Sequence, residues 1–212
     1  MDISIVIPFR NRHQHLLVLL RNLREHLSDK NTEYIVVQQL GSRKFNRGLL
    51  LNTGFRVSKG SRVIFHDVDL VPCAVMARQY CDAWPESVVH FGCRFSRYNN
   101  TKSYFGGVVG FTRCAFPGFS NRYFGWGGED DSLRRRVSSR VARPETGAYT
   151  DLEFMPTVKQ KLNSLTQNTK CMNKWEVRDS EDYTTDNHST CNVDFIETYS
   201  HEFGCRWIDV EL

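Results

Sequence analysis

The chain has 212 residues, of which 40% are hydrophobic and 25% charged; that is enough apolar material for one domain with its own core, and it argues against disorder. A formal net charge of +4 tolerates an anionic small ligand such as a nucleotide but is too weak for a nucleic-acid surface. No stretch approaches the ~20 apolar residues that span a bilayer, and Met1-Asp2-Ile3-Ser4-Ile5-Val6-Ile7 lacks the basic start of a signal peptide.

Ile3 to Ile7 is a continuous β-branched run ending at Pro8, the pattern of a buried parallel strand. From His15 to His26, leucines at 16, 17, 19, 20, 23 and 27 mark one face of an amphipathic helix. Tyr34 to Val37 is a second strand, Asn46 to Val57 a second helix with Leu49, Leu50 and Phe55 inward, and Val63 to Phe65 a third strand. Strand, helix, strand, helix, strand is the order of a parallel α/β sheet, whose ligands bind beyond the carboxyl ends of the strands. Arg10 and Arg12 after the first strand and Asp67 and Asp69 after the third should therefore share a crevice.

Further strands are expected over Val88–Phe95 and Ser103–Thr112, the second interrupted by Gly106-Gly107 as a bulge or a close approach to ligand. Ser132 to Val141 reads as a short basic helix, and the polar stretch 157–173 as a mobile loop or lid. Trp175–Val177 and Asn192–Ile196 alternate like an antiparallel pair. The fold class is thus α/β: one domain over 1–212, with a mostly parallel central sheet and a small antiparallel part. Seven cysteines are scattered without a C-x-x-C pair, which argues against zinc and for reduced, core-filling thiols.

Asp67 and Asp69 stand at i and i+2 on an extended segment, so both carboxylates face one way. At the end of a buried strand they repel each other unless a proton or cation lies between them. A hard cation, Mn²⁺ or Mg²⁺, answers that repulsion and would also neutralise a diphosphate; two solvated loop acids are the plainer reading of so short a motif. Downstream, Phe124-Gly125-Trp126-Gly127-Gly128 leads into Glu129-Asp130-Asp131. Acids at the first turn of a helix favour its dipole, which accounts for one or two of the three. Trp126 among glycines offers a stacking surface for a sugar, and one of the carboxylates could serve as the general base that deprotonates an acceptor hydroxyl. Arg10, Arg12 and Arg47 suit phosphate through their planar donor fork, and Phe9 or Phe45 could stack a base or simply fill core. No H-E-x-x-H, G-x-S-x-G, Walker A or G-x-G-x-x-G occurs.

Taken in order, Pro8-Phe9-Arg10-Asn11-Arg12, Phe45-Asn46-Arg47 with Leu51 to Phe55, His66 to Pro72, Tyr104 to Gly107 and Gly125 to Asp131 resemble the β-1,4-galactosyltransferase family over residues 3–137. The resemblance implies a single GT-A (Rossmann-like) domain, Mn²⁺ dependence, a UDP-sugar donor, an oligosaccharide or glycoprotein acceptor and inversion at the anomeric carbon. Residues 1–72 would form the nucleotide-binding half and 73–212 the acceptor and catalytic half. Pro8 to Arg12, Phe45 and Arg47 would line uridine and phosphates, with Tyr104 and Gly107 beside the donor. Asp69 would be the main metal ligand, with Asp67 nearby. Trp126 would ride a mobile loop, Asp130 would be the base, and Glu129 and Asp131 would hold acceptor hydroxyls. Counting from Arg143-Pro144, the family's methionine or histidine and histidine ligands fall on Glu153 and Pro156; carboxylate can replace a ligand, proline cannot.

With no anchor or stem, the chain looks like a cytoplasmic relative, similar to the N-terminal domains of longer chlorella-virus capsid-glycan enzymes. That likeness implies host cytoplasm and UDP-glucose or UDP-rhamnose in place of UDP-galactose; a trimmed family member would lie in the Golgi lumen. Two other readings remain. A catalytically silent UDP-sugar-binding or glycan-binding module would keep the fold but not the acidic triplet. A nucleotidyltransferase would need a glycine-rich phosphate loop near the N-terminus.

Overall fold

The computed structural model describes residues 1–97, 101, 103–137, 139–153, 163, 165–170 and 193–212. β1 (Ile3–Phe9), buried at all seven positions, pairs in parallel with β2 (Thr32–Leu40) on one side and β3 (Arg62–His66) on the other. α1 (His13–Leu27) and α2 (Arg47–Val57) make the crossovers. Alternation along the strands divides the core between the two faces. Ile3, Ile5, Ile7, Val36 and Ile64 pack with the α1 leucines, while Val6, Ile35, Val37, Val63 and Phe65 pack with Leu49, Leu50, Leu51 and Phe55 of α2. The chain steps from β1 to β2 and then back across β1 to β3, so a crevice opens at the carboxyl ends of β1 and β3.

Beyond β3 the chain forms β4 (Leu70–Pro72), α3 (Ala74–Gln79), β5 (Val88–Val89), β6 (Val108–Thr112), α4 (Glu129–Arg136), β7 (Val141–Ala142), β8 (Tyr149–Asp151), β9 (Phe195–Ser200) and β10 (Cys205–Glu211). The main sheet has the order β7-β5-β6-β3-β1-β2-β10-β9, and β4 and β8 make a separate antiparallel pair. That small pair sets Leu70 opposite Asp151, which brings the chain after β3 beside the chain after β8.

Several elements differ from the sequence expectation. The strand expected over Val88–Phe95 stops at Val89 and continues as a 3₁₀ turn over Phe91–Arg94. Gly106-Gly107 precedes β6 instead of interrupting it: Val108 N–H donates to Gly106 C=O at 3.1 Å, and Gly107 takes φ +79°. The helix expected from Ser132 starts three residues earlier, so the acidic triplet is its first turn and Arg134, Arg135 and Arg136 its last, both in the sense the helix dipole favours. In the tail, the strand expected over Asn192–Ile196 lies at Phe195–Ser200 and pairs with β10, which itself extends the sheet alongside β2. Its expected partner, Trp175–Val177, lies outside the described residues. Within the stretch expected to be a loop, residues 165–170 are helical.

Candidate active site

A cavity of about 510 Å³ opens at the predicted crevice, within the range usual for small-ligand sites. Pro8, Arg10, Arg12, Phe45, Arg47, Asp67, Asp69, Tyr104, Gly107, Trp126, Glu129, Asp130, Asp131 and Glu153 all line it. Phe9 does not: the strand's alternation turns it into the core, fully buried and edge-on to His13 and Trp207.

Arg47 is the hub of an acidic cluster lining the cavity. The side chain of Asn46 caps α2 by accepting from Leu49 N–H at 3.0 Å, which fixes the helix start and aims Arg47 inward. Its Nε donates to Asp67 Oδ1 at 2.6 Å and its Nη1 to Asp130 Oδ1 at 2.7 Å, with Glu129 Oε1 at 3.6 Å. Burial alone would lower the guanidinium pKa, but Asp130, Asp67 and Glu129 together hold it well above its ordinary value. The fork is therefore committed to carboxylates, where the sequence suggested phosphate. Nη2 of Arg47 and Oε2 of Glu129 are buried without a hydrogen-bond partner among the described residues.

Asp130 keeps 22% of its side-chain surface exposed toward the cavity. Burial pushes its carboxyl well above the usual range, Arg47 pulls against that shift, and Glu129 and Asp67 add to it. Glu129 and Asp131 are also raised, in both cases chiefly by burial. Room for Asp130 comes from Gly106, where a Cβ would lie 2.6 Å from Asp130 Oδ2 and 2.9 Å from the Tyr104 ring. His90 anchors that glycine, since its Nε2 lies 3.0 Å from the Gly106 carbonyl; because a carbonyl only accepts, Nε2 carries the proton. Gly106→Ala is expected to cost ~1–3 kcal/mol through overpacking, read as a lowered urea midpoint.

The same cavity is lined by Asp69, whose carboxyl is pushed up to about 6 by burial and by the charges of Asp67 and Glu153. Leu152 N–H donates to Asp69 C=O at 2.8 Å, tying the end of β8 to the acidic loop. Arg12 Nη1 lies 3.6 Å from Asp69 Oδ2, and its Nη2 is 3.2 Å from Glu153 Oε1. Among the described residues no three His, Cys, Asp or Glu side chains converge as a ready metal cage, because arginines stand between the acids. Asp69 still fits a hard cation: an oxygen donor under like-charge pressure, facing a cavity. Behind this loop the buried His66 ring lies 3.0 Å from Tyr80 Oη, which is 2.7 Å from Tyr149 Oη, so a polar chain runs from the loop to β8.

Trp126, 39% exposed, sits between glycines with φ of +86° and +87°, a conformation that side chains with a Cβ avoid. Asn168 Nδ2 donates to Gly127 C=O at 2.6 Å and Leu165 packs against the same residue, so the short helix fastens this loop. Sequence reasoning missed Arg97, Asp151, Leu165 and Asn168. Each looks ordinary in the chain, and only the low exposure of Asn168 (6%) marks it once folded.

Two family models match the chain in sequence order: the N-terminal region of glycosyl transferase group 7 over residues 1–82, and the N-terminal domain of galactosyltransferase over residues 87–155. The chain belongs to the β-1,4-galactosyltransferase-like family. Among its relatives, β-1,4-galactosyltransferase 4 of Rattus norvegicus is 41% identical over 70% of this chain and 47% of its own length. β-1,4-Galactosyltransferase 5 of Homo sapiens is 40% identical over 71% of this chain and 42% of its own length. The chain thus spans about half the length of these relatives. Of solved structures, the catalytic domain of Drosophila β-1,4-galactosyltransferase 7 with xylobiose superposes with a TM-score of 0.78 at 23% identity, covering 100% of this chain and 94% of that one. A variant of the same enzyme, in complex with manganese, UDP-Gal and xylobiose, gives 0.79 at 21% identity, again over 100% and 94%. These likenesses show the fold, which is GT-A.

Proposed function

We propose that this member of the family is a metal-dependent glycosyltransferase moving a hexose from a UDP-sugar (glucose, galactose or rhamnose) to a sugar hydroxyl of a glycan. The carrying observation is Asp130, a carboxyl of raised pKa held by Arg47 in the same cavity that Asp69 lines. A family relative solved with manganese, UDP-Gal and xylobiose supports donor, metal and acceptor classes.

In this reading residues 1–72 hold the nucleotide and the rest of the chain supplies acceptor and catalytic groups. Phe45, with Arg10 stacked 5.3 Å above its ring, offers an aromatic face to uracil, and Arg12 meets the diphosphate. Asp69, aided by Asp67 and Glu153, would hold Mn²⁺ or Mg²⁺, which when bound would neutralise charge developing on the departing diphosphate. Trp126 and Tyr104 face the sugars. Asp130 takes the acceptor hydroxyl proton as the oxygen attacks the anomeric carbon, and the bond to UDP breaks with its electron pair leaving on phosphate. Glu129 and Asp131 orient the acceptor. Arg47 opposes the upward shift that burial imposes on Asp130 and aims its carboxylate, so that proton transfer needs no rearrangement.

Calorimetric titration with UDP-glucose, UDP-galactose, UDP-rhamnose and UDP-N-acetylglucosamine, with Mn²⁺ and with chelator, tests this reading. Binding of one donor only with metal is expected, and Asp69→Ala should erase the metal-dependent part. Binding without any turnover, measured as UDP release, would leave a silent sugar-nucleotide module instead.

A further inference from the structure

Five charged side chains alternate along the metal-side wall. Asp69 faces Arg12 at 3.6 Å, Arg12 faces Glu153 Oε1 at 3.2 Å, Arg97 Nη1 lies 3.2 Å from Glu153 Oε2, and the other arm of Arg97 pairs with Asp151. Arg97 also lies over the Phe95 ring, 5.2 Å from its centroid, which fixes the plane of its fork. Both oxygens of Glu153 are therefore engaged by guanidinium groups. A divalent cation approaching Asp69 cannot also take Glu153 without displacing an arginine, or else it sits beside two positive charges.

We propose that Arg97, together with Arg12, holds Glu153 off the cation site until a nucleoside diphosphate arrives. This rests on the reading that Asp69 holds a divalent cation. The diphosphate is the better partner for planar forks, since bidentate guanidinium–phosphate bonds are charge-assisted. It replaces Glu153 on the arginines, and the freed carboxylate turns to the cation. Nothing covalent changes; one anion exchanges for another on the same donors. Cation and nucleotide then bind with positive cooperativity, and linkage makes the effect reciprocal. A purely structural role for the Arg97 pairs predicts that Arg97→Gln leaves this coupling unchanged.

The test is Mn²⁺ titration of the full chain, free Mn²⁺ being read by electron paramagnetic resonance, with and without saturating UDP. UDP affinity in chelator is measured beside it by calorimetry. For the wild type, UDP is expected to tighten Mn²⁺ binding by roughly 5–150-fold, the usual span of such couplings. Arg97→Gln should raise Mn²⁺ affinity in the absence of UDP by about tenfold and shrink the UDP effect to match. Glu153→Gln, which cannot offer a carboxylate, should lose most of the UDP effect without that gain. Equal Mn²⁺ affinity with and without UDP overturns the proposal and leaves the metal reading intact, as does Arg97→Gln behaving as wild type. Mn²⁺ binding in neither condition, with UDP bound in chelator, overturns both.

Discussion

Asp130→Asn is expected to lower turnover by roughly 10²–10⁴-fold, the usual contribution of a general base, while UDP-sugar affinity stays near the wild-type value. The asparagine oxygen can still accept from Arg47 Nη1, now at 2.7 Å from the carboxylate, so the wall keeps its shape and only the proton acceptor is lost. Steady-state assay of UDP release with a sugar acceptor, paired with calorimetric donor binding, separates the two effects. An equal loss of donor affinity would remove Asp130 from the role of base. The wild-type pH profile carries a second mark. Burial raises the Asp130 carboxyl above the ordinary range, and the base must be ionised to act. Turnover should therefore fall with decreasing pH earlier than it would for an unperturbed carboxylate, and the Asn variant should lack that limb.

Arg47→Met is expected to be the most damaging single change to stability, costing ~3–5 kcal/mol as a buried charge partner removed from its acids. Asp67, Asp130 and Glu129 would then face one another without the cation that now lies between them. The pH dependence has a definite sign. Loss of Arg47 raises the folded-state carboxyl pKa values of Asp130 and Glu129 further above their unfolded ones, so these ionised acids destabilise the fold at neutral and higher pH. That penalty fades as pH falls through those raised values and the acids take up protons. The difference in urea midpoint between wild type and variant should accordingly be largest near pH 8 and narrow toward pH 5. A difference independent of pH would mean that lost packing against Phe119, whose ring centroid lies 5.7 Å from the guanidinium, outweighs electrostatics. Arg47→Lys restores the charge without the fork and should recover only part of the stability, because one ammonium cannot reach Asp67 and Asp130 in the same geometry.

Local pattern carried much of the design. The apolar run of β1, the leucine face of α1 and the step from β3 into Asp67-Val68-Asp69 are properties of neighbouring residues, and period alone places them. Glu129-Asp130-Asp131 stood out as a cavity-lining group for the same reason: three adjacent acids after a glycine turn are unusual at any fold position. The elements that moved were those whose limits depend on partners. β9 is a strand because β10 pairs with it, and β10 is one because the edge of β2 lies open beside it. The start of α4 depends on Gly128 at φ +100°, which only the folded loop imposes. Phe9 belonged to the core by alternation, although its neighbours in the chain face the cavity.

What the sequence by itself determined is therefore the order of the α/β elements, the crevice at their carboxyl ends and the kinds of groups that gather there. Tertiary structure alone decided which charges meet. Arg47 serves carboxylates 20 and 83 residues away, Arg97 meets acids 54 and 56 residues away, and Asn168 holds a glycine 41 residues back. The physical reason is range. Hydrophobic period is set by neighbours along the chain, whereas an ion pair or hydrogen bond exists only within a few ångströms in space, and no local pattern reports that distance.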